Sequence, residues 1–254
     1  MNKTQRNEML LLKELNTRKI INIESAINLL GVSESTVRRL FTNLEQKGVC
    51  VRGHGSIRIL DNDFTNIYVY ESVENTGVAE KEIIADKALK LIKDGDVIFL
   101  DAGTTLAKLS AKIADALRDN VIHGITVFTN SLVNLNVLKD YISVNVIGGE
   151  YRENRKDFCG MMAEMTITNI CFDKCFLGTD GYTKDVGFTA TDFQTARIAQ
   201  LVIANSGENY ILADIEKFRK TAGVCFAKAG DVTAVITNDA EGTEVLTEAG
   251  IASV

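Results

Sequence analysis

From Lys81 onward the chain repeats one pattern: a segment with apolar residues at helical spacing, a turn, then a short continuous apolar run. The periodicity predicts helices over Lys81–Lys93 and Leu106–Leu117 and strands over Val97–Leu100 and Ile125–Phe128. A helix over Ser131–Leu138 and a strand over Val144–Ile147 follow, with later strands at Lys174–Leu177, Tyr210–Ala213 and Ala234–Thr237. Strands separated by helices run parallel, and continuous apolar runs belong to strands buried on both faces. The pattern predicts an α/β fold with a mostly parallel sheet covered by helices on each side.

In such sheets ligands bind beyond the carboxyl ends of the strands. Here those ends are small or polar: Asp101-Ala102-Gly103-Thr104-Thr105, Thr129-Asn130-Ser131, Gly148-Gly149, Gly178-Thr179-Asp180-Gly181, and Asp214 followed by Lys217. The stretch VIFLDAGTT reads as a buried strand feeding a helix through Gly103. A helix N-terminus presents unpaired N–H groups with partial positive charge, so a glycine flanked by hydroxyls suits an anion such as phosphate. An ordinary turn with Thr104 or Thr105 as N-cap fits the same residues. Convergence of five such strand ends in one domain favours the cradle, although turns alone select many of these residue types.

Charge divides the chain unevenly. Residues 1–60 hold ten Lys or Arg against five Glu, a net of +5, which leaves −11 for the rest of a chain whose total is −6. A basic unit joined to an acidic one suggests that only the first meets a polyanion. The basic part reads as helix Lys3–Leu15, an interruption at Asn16–Lys19, helix Ile23–Leu30, a Gly31-Val32 turn, and a Ser33-capped helix Glu34–Lys47 ended by Gly48. In the third helix Val37, Leu40, Phe41 and Leu44 form an apolar face, which leaves Ser35, Thr36, Arg38 and Arg39 to reach outward. That is the arrangement of a helix-turn-helix, whose second helix enters the DNA major groove. Pairing of Arg38 or Arg39 with a nearby Glu is the plainer reading. Val49 and Val51, the tip Arg52-Gly53-His54-Gly55-Ser56, and Ile57 and Ile59 then read as a two-stranded wing with a basic tip.

Weak periodicity between Leu60 and Glu80 places the domain boundary: 1–60 for the winged helix-turn-helix, 61–79 for a partly ordered linker in which Ile67-Tyr68-Val69-Tyr70 can pack, and 80–254 for the α/β domain. No N-terminal apolar run suits a signal peptide and no 18 apolar residues run together, so a cytoplasmic protein with no membrane partner is expected. Five cysteines (Cys50, Cys159, Cys171, Cys175 and Cys225) lack disulfide or CxxC spacing. Cys171 and Cys175 could share a helix face, but two histidines give too few partners for zinc, and no metal or cofactor is expected. The chain contains no proline, so Gly and Asn must carry its turns.

VSESTVRRL and LEQKGVCVRGHGS resemble the winged helix-turn-helix of the DeoR family of transcriptional regulators, in which the run is close to VSxxTIRRDLxxLexxGxxxRxHGG. LDAGTT, FTNS, IGGE, the Gly160 segment, FLGTDG and ADIEKF are similar to that family's C-terminal sensor, which has a sugar isomerase and CoA transferase-like fold. The resemblance implies contact with double-stranded operator DNA through Ser33, Ser35, Thr36, Arg38, Arg39, Arg52 and His54. It also implies a phosphorylated sugar effector whose phosphate lies at Gly103, Thr104 and Thr105. Thr129, Asn130, Ser131, Gly148 and Gly149 would then line the sugar, with Asp101, Asp214 and Lys217 as further polar contacts. A homo-oligomer that represses a sugar catabolic operon is the implied regulator.

Five positions depart from the family's usual residues: Leu40 for Asp, Ser56 for Gly, Thr195 for Glu, Glu216 for Ser or Thr, and Arg219 for Gly. They leave a sensor-like protein without a ligand as one alternative. A sugar-phosphate isomerase using Asp101, Asp180, Asp214 and Lys217 is another, although a groove-reading helix has no place in one.

Overall fold

The computed structural model describes residues 3–46, 50–53, 55–59, 68–218, 220–238 and 240–254. The chain divides into two compact units, Met1–Asn75 and Thr76–Val254.

In the first unit α1 spans Lys3–Arg18, β1 Ile20–Asn22, α2 Ile23–Leu30 and α3 Glu34–Gln46. Strands β2 (Cys50–Gly53) and β3 (Ser56–Ile59) follow, and α4 is Tyr70–Val73. Asn22 caps α2 by accepting from Ser25 N at 2.7 Å, and Gly31 ends it with φ +61°, a conformation that favours glycine. The expected apolar face of α3 is the core: Val37, Leu40, Phe41 and Leu44 are buried with Leu11, Leu15, Ile21, Ala26, Cys50 and Ile57. Two expectations need correction. No break occurs at Asn16, because α1 continues to Arg18 and ends at Lys19, whose φ is +64°. The wing also gains a third strand, since β1 pairs antiparallel with β3 in the order β1-β3-β2. In the expected linker, Val69 and Tyr70 are buried and α4 packs beside α1.

The second unit opens with α5 (Val78–Leu89), β4 (Val97–Leu100), α6 (Thr104–Arg118), β5 (Thr126–Thr129), α7 (Leu132–Leu138) and β6 (Val144–Val146). A hairpin of β7 (Glu150–Arg152) and β8 (Asp157–Cys159) leads to α8 (Met161–Ile167) and β9 (Phe172–Gly178). Strands β10 (Gly181–Thr183) and β11 (Gly187–Ala190), helix α9 (Phe193–Ala204), β12 (Ser206–Leu212), β13 (Val224–Ala227), β14 (Ala234–Ile236) and α10 (Ala240–Glu248) complete it.

Six strands form one sheet in the order β14-β12-β9-β4-β5-β6, every pair parallel. Successive strand residues supply opposite cores. Ile98, Leu100, Phe176 and Leu212 face Ile84, Leu109 and Leu138 of α5, α6 and α7. Phe99, Cys175, Leu177 and Ile211 face Ile167, Ile198 and Leu246 of α8, α9 and α10. The α/β class and the covered parallel sheet are therefore as the periodicity predicts. A small antiparallel sheet, β10-β11-β13, is additional. Cys175 lies within β9 and Cys171 just before it, so the idea that they share a helix face is wrong.

Candidate functional site

In the first unit the early turns of α3 carry the hydroxyls and arginines. Ser33 Oγ lies 3.0 Å from both Ser35 Oγ and Thr36 Oγ1 and accepts weakly from Thr36 N at 3.4 Å. Arg38 and Arg39 are exposed. Arg38 rests on Glu34, with Nε and Nη2 donating to Oε1 at 2.9 and 2.6 Å, so the plainer reading of this side chain is also present in the structure. Such an exposed i,i+4 pair contributes little stability and yields readily to a phosphate or a base edge. Arg52 on β2 donates to Thr42 Oγ1 at 2.8 Å, and its N–H donates to Glu45 Oε1 at 3.1 Å, which ties the wing to α3. Leu40, where the family usually has Asp, is buried in the core. Ser56 opens β3 opposite Gly53. His54 at the wing tip and Gly48 lie outside the described residues.

The carboxyl ends of β9 and β4 form the centre of the second unit's sheet edge, with β5 beside them. Asp101 follows β4 directly and is buried; its carboxylate accepts from Ala102 N at 2.8 Å and from Gly178 N at 3.3 Å. Burial pushes this carboxyl up to about 7 despite those two donors; Asp157 nearby raises it further and Arg155 opposes.

Gly103 occupies the cap position of α6 at φ +138°, and no side chain caps the helix. The N-cap reading of Thr104 or Thr105 therefore fails: both lie inside the first turn, Thr104 buried and Thr105 half-buried. What remains at this end is a set of backbone N–H donors on a 15-residue helix.

At the end of β5 the polar residues divide. Thr129 Oγ1 donates to Leu100 O at 2.6 Å and accepts from Ser131 N and Asn134 Nδ2, both at 3.1 Å. Ser131 caps α7, accepting from Asn134 N at 3.2 Å. These two hydroxyls hold the loop. Asn130 differs: Nδ2 donates to Phe158 O at 3.3 Å, but the buried Oδ1 has no hydrogen-bond partner among the described residues.

Gly148 and Gly149 lie past β6, on one side of this centre, and are distinguishable. A Cβ on Gly149 would sit 2.3 Å from Cys159 O, so closure of the β7–β8 hairpin demands that glycine, whereas Gly148 faces open space. Asp214 and Lys217 lie on the other side, beyond β12. Asp214 accepts from Glu216 N at 3.0 Å and starts a tight 3-10 turn that contains exposed Glu216 and half-buried Lys217. Adjacent strands stand about 4.8 Å apart, so the ends of β6 and β12 are separated by roughly 19 Å across four spacings. One small sugar does not reach both.

Two groups absent from the sequence-based set adjoin this edge. Lys81, in the first turn of α5, is buried and donates to Thr76 O. Burial lowers its pKa; Asp214 opposes this, and Lys217 and Lys108 add to it, which puts Lys81 within the field of the β12 loop. The second group comes from the β7–β8 hairpin. Arg152 grips Asp157 through two bonds of 2.8 and 2.6 Å and donates to Asp192 Oδ1 and Thr195 Oγ1, each at 2.9 Å. Arg155 donates to Thr191 Oγ1 at 2.9 Å and lies 3.3 Å from Asp192 and 3.8 Å from Asp180. Burial works to raise the Asp192 pKa, but Arg155, Arg152 and Thr195 outweigh it and hold the carboxyl low. The signal for this group is the run RENRKD, six residues with five charges, which reads more naturally as a solvated face. Arg219 lies outside the described residues.

A helix-turn-helix with basic residues in its second helix and a three-stranded wing, followed by an α/β unit with an uncapped helix at its sheet edge, defines the class of two-unit DNA-binding proteins whose second unit is an α/β domain. Residues 6–63 match the DeoR-like helix-turn-helix domain and residues 76–239 match the DeoR C terminal sensor domain. The chain belongs to the DeoR family of transcriptional regulators. Among its relatives, an uncharacterized HTH-type transcriptional regulator FruR of Bacillus subtilis is 33% identical over 94% of this chain and 92% of its own length. The lactose phosphotransferase system repressor of Staphylococcus aureus is 31% identical over 93% and 92%. The HTH-type transcriptional regulator GlpR of Haloferax volcanii is 30% identical over 91% and 89%. Among solved structures, ribose 5-phosphate isomerase A of Methanocaldococcus jannaschii aligns over 54% of this chain and 53% of its own, at 20% identity and a TM-score of 0.41.

Proposed function

We propose that this protein represses a sugar-utilisation operon, binds operator DNA through α3 and the wing, and loses DNA affinity when its second unit takes up a phosphorylated sugar. The observation that carries the sensor half is the α6 N-terminus, uncapped at Gly103 in the same strand-end region as the unpartnered Asn130 Oδ1. Unpaired N–H groups there suit a phosphate, and an orphaned buried acceptor suits a sugar hydroxyl. Asp101, Gly103, Thr104, Thr105 and Asn130 form the inner part of this site, with Gly148 open to an approaching ligand. Lys217 and Asp214, with Lys81, lie on the opposite side of this centre from Gly148 and meet a second polar end of an effector that extends to that side. The name of the staphylococcal relative, a lactose phosphotransferase system repressor, supports repression as the mode of regulation. Work of this kind is done in the cytoplasm, and no helix among the described residues is long and apolar enough to cross a membrane.

A panel of phosphorylated sugars in a thermal-shift assay tests the sensor half. One compound raises the melting temperature, its unphosphorylated parent does not, and Asn130→Ala removes most of the shift. No shift from any compound overturns this half. For the DNA half, Arg38→Ala weakens binding to the protein's own promoter region and lowers the slope of log affinity against log salt by about one; unchanged strength and slope overturn the assignment of α3.

The raised Asp101 carboxyl is the feature that favours a second reading, proton transfer on a sugar phosphate. Exchange of solvent deuterium into a bound sugar phosphate, lost in Asp101→Asn, is its test.

A further inference from the structure

One acidic side chain of the first unit lies among the outward residues of α3. Residues 1–60 contain five glutamates, Glu8, Glu14, Glu24, Glu34 and Glu45. Asn43 donates to Glu8, Arg18 pairs with Glu14, and the Arg52 N–H donates to Glu45. Glu24 lies in the first turn of α2. Glu34 differs in position: it lies in the first turn of α3, the helix that carries Arg38 and Arg39, and its side chain is 55% exposed. Val37, Leu40, Phe41 and Leu44 fix the buried face of that helix, so Glu34, Ser35, Arg38 and Arg39 share the outward one. The hydroxyls of Ser35 and Thr36 are taken up by Ser33. Both bonds from Arg38 end on Glu34 Oε1, which leaves Oε2 an open acceptor among the described residues.

We propose that Glu34 reads the operator directly, accepting a hydrogen bond from the N4 amino group of a cytosine while Arg38, released from it, takes a nearby guanine; this rests on α3 as the helix that enters the groove. An ionised carboxylate has only acceptors. In the major groove guanine offers the acceptors N7 and O6, thymine offers O4, and adenine sets its N7 acceptor next to its N6 donor; cytosine offers a donor with no acceptor beside it. Without such a donor Glu34 is a net cost close to phosphates, because like charges repel and its exposed pair with Arg38 is worth little. The side chain that lowers affinity for arbitrary sequence therefore raises discrimination, as unfavourable charges do at specific interfaces.

The spacing of the two side chains limits where their bases lie. Four residues of helix rise about 6 Å, and successive base pairs stand about 3.4 Å apart. Glu34 and Arg38 therefore address base pairs one or two steps apart, and their 2.6 Å contact in the free protein places both groups over one spot on the surface of α3. Arg38 donates to guanine N7 and O6. The half-site this arrangement specifies holds a guanine and a cytosine one or two base pairs apart, with the cytosine nearer the N-terminus of α3.

The test selects duplexes from a randomised library with the full-length protein and then measures dissociation constants by fluorescence anisotropy. Wild type is expected to select a half-site with a cytosine one or two base pairs from a guanine, and replacement of that C·G pair by T·A is expected to weaken binding roughly 10-fold. Glu34→Ala is expected to keep the guanine, lose the cytosine preference and bind a random duplex more tightly than wild type does, a gain that damage to the fold does not produce. An unchanged cytosine penalty in folded Glu34→Ala overturns the proposal, and so does a wild-type half-site with no such cytosine. If the variant fails to fold, wild type decides alone: pyrimidin-2-one in place of the cytosine deletes the N4 amino group, and undiminished binding overturns the proposal. Arg38→Ala tells the failure of Glu34 from the failure of α3 as the groove helix. Loss of the guanine preference in Arg38→Ala, with the cytosine penalty intact in Glu34→Ala, rejects Glu34 and keeps α3 in the groove; a half-site untouched by either substitution rejects both.

Discussion

Asp101 shows how one residue can be fixed by both fold and site. Its carboxyl is buried where β4 ends, and burial pushes it up to about 7, so the folded protein holds a proton that the unfolded chain releases near pH 4. The stability it contributes is fully present below pH 4 and is lost as pH rises towards 7, on the order of a few kcal/mol over that window. Asp101→Asn is neutral throughout. Melting temperatures measured from pH 4.5 to 7.5 should fall less steeply for the variant than for wild type, and parallel curves would show that the carboxyl titrates normally. Gly103 makes a second prediction. At φ +138° a side chain is strained whatever the space around it, so Gly103→Ala should lose about 1–3 kcal/mol in urea denaturation. An undiminished midpoint would mean that the loop adopts another conformation.

The elements differ in how openly the sequence declares them. Val97–Leu100 and its neighbours are legible because continuous apolar runs alternate with helical periodicity over many residues, and the rule that ligands sit beyond parallel strands then points to Asp101, Gly103 and Asn130. Three-residue strands carry no such period. Ile20-Ile21-Asn22 is too short to signal that it completes the wing, and Glu150–Arg152 with Asp157–Cys159 looks like a charged loop. The hairpin exists because Arg152 and Asp157 are cross-strand partners in the β7–β8 register and form a bidentate pair there, a relation visible only once the chain has folded. Thr195 belongs to the same network, and its hydroxyl accepts from Arg152. Arg152→Ala leaves Asp157 charged and buried, which should cost about 3–5 kcal/mol, whereas Arg152→Met/Asp157→Leu removes both charges and should cost much less. Chemical denaturation of the two variants separates these cases; equal losses would mean that packing, not charge pairing, holds the hairpin.

At the scale of the whole molecule the chain joins a basic segment, residues 1–60 with net +5, to an acidic remainder, residues 61–254 with net −11. The acidic remainder adds no attraction for the DNA backbone, so regulation need not compete with a second source of polyanion affinity. Control must instead come from a difference in the sugar phosphate's affinity for the DNA-competent and DNA-free states, because a ligand that binds both equally shifts nothing. Such coupling is reciprocal. Across regulators it typically amounts to 5–150-fold, and whatever factor the effector removes from operator affinity, saturating operator must remove from effector affinity. Isothermal titration of the sugar phosphate into the protein alone and into its operator complex measures one side of that cycle; operator titrations with and without the sugar phosphate measure the other. The two factors should agree. Asn130→Ala should weaken effector binding to the free protein and to the operator complex alike. Unequal factors on the two sides of the cycle would mean that the effector and the operator do not act on one two-state equilibrium.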